Sequence, residues 1–127
     1  MSYKALILSL ILALISSLSS AQDYLSDDAI KSAFSGKTAI GNHLKKGVTV
    51  KSYHAEDGTY RSVYGDGSSN TGEWWVESNK LCVKFTGEDD SKCRKIMSDG
   101  ASGYKKIHPK KDKPVVHFEK LEDGDQT

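Results

Sequence analysis

From Lys37 onward the chain is a series of short alternating apolar and polar runs, cut at close intervals by Gly, Asp, Asn and Ser. Alternation with period two marks a strand with one buried face. The runs fall near residues 37–43, 47–55, 59–65, 71–77, 80–86, 92–98, 102–108 and 114–120. The interruptions are chemically specific. Asp57-Gly58 and Asp99-Gly100 suit the positive φ angles of tight hairpin turns, and Ser78-Asn79 makes a compact turn. Connections this short leave no room for crossover helices, so neighbouring strands run antiparallel. The predicted fold is mainly β: a meander of about eight strands that removes its edges by curling into a small barrel or flattened sandwich.

The segment ahead of the strands, YLSDDAIKSAFSGKT, reads as one short helix. Ser26 is its N-cap, Asp27 and Asp28 sit in the positive first turn, and Gly36 stops it. Leu25, Ile30, Ala33 and Phe34 share one face, which must pack on the sheet at one end or along a side. At the other terminus, LEDGDQT is acidic and expected to fray over residues 121–127. KKIHPKKDKP is a basic loop joining the last two strands.

MSYKALILSLILALISSLSSAQ has the layout of a secretory signal peptide: one early lysine, an apolar run, and small residues before a cut after Ala21. The run of about 14 residues is short of the roughly 20 a membrane span needs. The expected organisation is a leader over 1–21 and a single β-rich domain over 22–127, exported to the periplasm or beyond, with no membrane span after cleavage. Without Lys4 the mature chain carries seventeen basic and seventeen acidic side chains. That balance, with export, argues against nucleic acid as a partner. Cys82 and Cys93 allow a single intramolecular pairing, which an oxidising compartment favours. Their spacing matches no common zinc pattern.

The stretch GEWWVESNKLCVKF sets Trp74 and Val76 on one strand face and Trp75, Glu73 and Glu77 on the other. Burying Trp74 and Val76 with Leu81, Val83 and Phe85 leaves Trp75 on the opposite, partly exposed face beside the charges. Trp75 either covers the disulfide or packs under a loop or helix, or, with Tyr53, Tyr60 and Tyr64, forms a surface for a ligand or partner. The histidines are His43, His54, His108 and His117. His54 and His117 are the pair that would share a metal if their strands met, copper or zinc by ligand type. No Gly-x-Ser-x-Gly or phosphate-binding loop is present, and each carboxylate pair has a local role at a helix start or turn. No catalytic residues and no cofactor are expected.

The order of motifs carries a resemblance. After the signal peptide come LSDDAIKSAFSGKTAIG, YHAEDGTYRS, TGEWWVESNKLCVKF, a second cysteine and SDGASGYKK. This resembles a family of small periplasmic proteobacterial proteins classed as a domain of unknown function. The resemblance spans nearly all of the mature chain and implies a periplasmic address and a disulfide. It implies no activity and no functional residues, and the HPKKDK loop lies outside its pattern. The expected function is a non-catalytic binding or envelope-associated protein, monomeric, with a small ligand or a protein as partner. The alternatives are an inhibitor or stress-protective module presenting its YGDGSSNTG and HPKKDKP loops, and a histidine-based metal binder.

Overall fold

The structure, a computed structural model, describes residues 23–100 and 103–127. The expected leader and its cut lie outside the described residues. The chain begins with a two-residue strand β1 (Asp23–Tyr24) and helix α1 (Asp27–Phe34). Eight strands follow: β2 (Lys37–His43), β3 (Val48–His54), β4 (Thr59–Tyr64), β5 (Ser69–Glu77), β6 (Lys80–Phe85), β7 (Lys92–Ser98), β8 (Tyr104–Ile107) and β9 (Pro114–Asp123). Each pairs antiparallel with its successor, and β9 returns to pair with β2. The meander is therefore a closed barrel.

Closure needs close backbone approach at particular points. In β2 the register with β9 shifts between Ile40 and Gly41. A Cβ at Gly41 would lie 1.9 Å from the His117 carbonyl oxygen, and one at Gly72 2.1 Å from that of Lys84. Only glycine lets the neighbouring strand cross there.

Alternation then becomes inside and outside. Val50, Ser52 and His54 of β3, Tyr60, Ser62 and Tyr64 of β4, Trp74 of β5, and Leu81 and Val83 of β6 are buried. Trp74, Val76, Leu81, Val83 and Phe85 join one apolar cluster, as the alternation predicts. The opposite parity faces out. There Cys82 opposes both Trp75 and Cys93 in register, and the Cys82–Cys93 disulfide is formed. On the loop-closure model so short a loop contributes about 2.5–3 kcal/mol.

Helix α1 plugs one end. The Ser26 hydroxyl accepts from the Ala29 amide, as the N-cap reading requires. Asp27 is locked to the β5–β6 turn: the Asp27 amide donates to Asn79 Oδ1 at 3.0 Å, and the Asn79 amide to Asp27 Oδ1 at 2.7 Å. Ile30 and Phe34 are fully buried, with the Phe34 ring against His54, Tyr104 and Phe118. In an antiparallel meander alternate connections share an end. The 55–58 and 78–79 connections lie with the helix, as do Asp99, Gly100 and Gly103, and the 44–47, 65–68, 86–91 and 108–113 connections rim the other end.

The expected frayed tail is corrected by the structure. Strand β9 runs on to Asp123, the Gly124 amide donates to the Gly36 carbonyl, and Thr38 Oγ1 donates to the Gly124 carbonyl while accepting from the Gln126 amide. Lys37 pairs with Asp123 at 2.8 Å. A composition rich in acid and glycine signalled fraying, but backbone partners on β2 and after α1 capture the segment. Among the described residues no helix is long and apolar enough to cross a membrane.

Phe34 is the plug's main anchor. Phe34→Ala is expected to lower stability by about 3–5 kcal/mol, read as a lower urea midpoint.

Candidate functional site: the barrel lumen

The end opposite α1 opens into a cavity of about 610 Å³ running down the barrel axis. Its walls mix two kinds of side chain. Val50, Leu81, Val83, Phe85, Val116 and Phe118 form apolar surface. Lys45, Lys46, Lys92, Arg94, Lys106, His43 and His108 supply positive or ionisable groups, against one carboxylate among the described residues, that of Glu88. Ser52, Ser62 and Tyr60 form a closed polar triangle on the wall. The two serine oxygens are 2.8 Å apart, Tyr60 Oη donates to Ser52 Oγ at 3.1 Å, and Ser62 Oγ donates to Tyr60 Oη at 2.7 Å. These hydroxyls satisfy one another, and burial pushes the Tyr60 phenol up from its ordinary pKa.

Lys106 is the unusual member. It is only 8% exposed and points inward from β8. Among the described residues it has no carboxylate within ion-pair distance. Its ammonium rests 5.8 Å from the Tyr60 ring centre and 5.6 Å from that of Phe118. Burial first, and the nearby Arg94 second, push its pKa down to about 8. Arg94 shares the lumen, half-buried and likewise without an ion-pair partner among the described residues. At the rim Lys46 lies over the Tyr64 ring at 4.2 Å and Lys92 over Phe85 at 5.0 Å. His43 is pushed below its ordinary pKa by partial burial and then by Lys46, Lys106 and Arg94. The cations thus repel protons from one another, with almost no negative charge between them.

Below the cavity, toward the plug, lies His54. It is fully buried, its ring edge-on to Phe34, Tyr60 and Trp74, and neither nitrogen has a well-formed hydrogen bond. Burial and then Lys106 push its pKa down to about 3, with weak opposition from the backbone of Lys37 and Ser52. It is a neutral packing residue.

The sequence-predicted site residues separate. Tyr60 and Tyr64 line the lumen. Tyr53 and Trp75 have the opposite parity and face out, so the four do not form one surface. Trp75 Nε1 donates to Glu77 Oε1 at 2.8 Å, beside Cys82, which is fully buried. Trp75 lies opposite Cys82 in register, on the outer face that carries the disulfide. Glu77, Cys82 and Cys93 are also close together, but disulfide sulfurs are not thiolate ligands. His54 and His117 cannot share a metal. His54 faces in opposite Lys37 of β2, whereas His117 faces out opposite Asn42 and bonds to Asp99 at 3.0 Å. Five residues along a strand is about 17 Å.

Sequence reasoning missed Lys106 and Arg94. The signal was parity: Lys106 alternates with Lys105 and shares a face with Tyr104, and Arg94 alternates with outward Cys93.

The fold and site together define a class: a helix-plugged, eight-stranded antiparallel meander barrel with an open, positively charged lumen. No family model, curated protein or solved structure matches the chain.

Two pH effects follow. The unfolded chain protonates His54 near 6.5 and the folded chain only near 3, so its contribution is complete above pH 6.5 and is lost as pH falls toward 3. His54→Leu is expected to remove a pH slope that approaches about 1.4 kcal/mol per pH unit as pH falls below 6.5, read by urea midpoints between pH 6.5 and 5. Lys106 binds its proton less tightly folded than unfolded, so its burial costs stability below pH 8, and the cost fades as pH rises toward 10.5. Lys106→Met is expected to stabilise the protein by about 1–3 kcal/mol at pH 7, with the gain shrinking by pH 9.5 in the same assay.

Proposed function

We propose that this chain is an exported, non-catalytic binding protein that carries a small ligand in its barrel lumen. The observation that supports this most is the cavity itself. Its volume of about 610 Å³ falls within the usual range of roughly 300–1,000 Å³ for small-ligand sites. The cavity opens at the end opposite α1, and its walls combine apolar side chains with inward polar and charged groups that could orient a ligand. The hydroxyls of Ser52, Ser62 and Tyr60 bond to one another rather than to a base, which suits a structural role better than an activated nucleophile. The disulfide fits an oxidising address such as the periplasm.

Native mass spectrometry of the protein recovered from its own host without denaturation tests the reading. The expected spectrum shows a signal-cleaved, disulfide-bonded monomer with an additional small-molecule mass. In Val83→Trp, where the added ring fills the lumen, that mass is expected to disappear. A bare wild-type chain, or a bound mass that persists in the filled variant, would overturn the proposal.

A further inference from the structure

Lys106 and Arg94 narrow the chemistry of the ligand. A lysine normally keeps its ammonium in water by extending its stem. Lys106 does not: it is buried in the barrel wall with its charge directed into the cavity. The two rings it approaches lie near the outer limit of about 6 Å for a cation–π contact, which offsets little of the cost of burial. Arg94 lines the same space, close enough to disfavour the Lys106 charge. Among the described residues neither inward cation is paired with a carboxylate, an arrangement that an anion would complete.

The rest of the lumen limits what else the anion can carry. Val50, Val83, Phe85 and Val116 present apolar surface. The wall hydroxyls already bond to one another, so they offer few free groups to a sugar or other polyhydroxylated ligand. A metal cation would meet a positive lumen.

Resting on the reading that the lumen holds the ligand, we infer that the ligand is an amphipathic organic anion, with one carboxylate or phosphate head group held by Lys106 and Arg94 and a short apolar body against the barrel wall. The rim lysines Lys46 and Lys92 draw such an anion toward the opening.

The test uses titration calorimetry on the disulfide-bonded protein with decanoate, decyl phosphate and decanol, which share a chain and differ in head group. At least one of the two anions is expected to bind tenfold or more tightly than decanol. Which of the two is preferred identifies the head group. Lys106→Met and Arg94→Gln are each expected to weaken the anion at least tenfold and leave decanol within twofold. Lys105→Gln, on the outward face of the same strand, is expected to change neither. A thermal melt of each variant confirms folding, and Lys106→Arg is expected to retain binding. Equal affinity for decanol and the anions would overturn the anion inference while leaving a ligand-holding lumen intact. An anion affinity lowered as much by Lys105→Gln as by Lys106→Met would reassign binding to the outer surface and overturn it as well. Failure of all three compounds to bind would overturn the inference, with the host-derived mass spectrum deciding the lumen reading separately.

Discussion

The pairing of β9 with β2 is the constraint on which the rest of the structure depends. Until those strands meet, alternation defines two faces but not an interior. Once they meet, every inward side chain shares one enclosed volume and every outward one shares solvent. Closure requires the glycine at position 41, because the His117 carbonyl occupies the place of a Cβ. It also removes the open edges that an eight-strand meander would otherwise expose. The same pairing continues past Asp123 and carries the C-terminal residues back against Thr38 and Gly36, so the seam is reinforced beyond the strand itself.

Two locks hold the cylinder in shape, at different places and by different physics. Helix α1 fills one end with Ile30 and Phe34, a hydrophobic contribution reinforced by the reciprocal bonds between Asp27 and Asn79. The Cys82–Cys93 bond ties β6 to β7 on the outer face, where it takes no lumenal space. Trp75 lies opposite Cys82 on that outer face, while its neighbour Trp74 packs inside and donates to the Ala55 carbonyl at 2.8 Å. Adjacent tryptophans therefore have different surroundings, one in the core and one on the outer face opposite Cys82.

Much of this was legible in the sequence because it rests on local chemistry. Asp-Gly turns, the Ser26 cap and the period-two runs each depend on residues a few positions apart, and all eight predicted strands and the helix are found. The disulfide was legible because two cysteines admit one pairing. What was not legible depends on contacts between distant segments. Tyr60 and Tyr64 read as half-exposed strand tyrosines, and only closure makes them lumenal. His54 and His117 sit on strands that both flank β2, yet opposite parity and different heights on that strand keep them apart. The tail was misread because its composition is that of a loop, whereas its order comes from partners at Lys37 and Thr38. Lys106 was passed over because lysines are presumed exposed. In Tyr104-Lys105-Lys106-Ile107, however, a strand with both faces in use must turn one of the adjacent lysines inward.

That inward lysine is a departure from what stability alone would select. A small domain has little apolar surface to spare, and a buried cation without a counter-ion works against folding. Buried His54 adds a second group that packs well only while neutral. A barrel built only for stability would place an aliphatic residue at position 106 and collapse onto it. Here the plug and the outer disulfide supply stability from outside the cavity, leaving the lumen open and its wall positively charged. That costly placement is also chemically specific, since a ligand bearing the opposite charge is what would offset it.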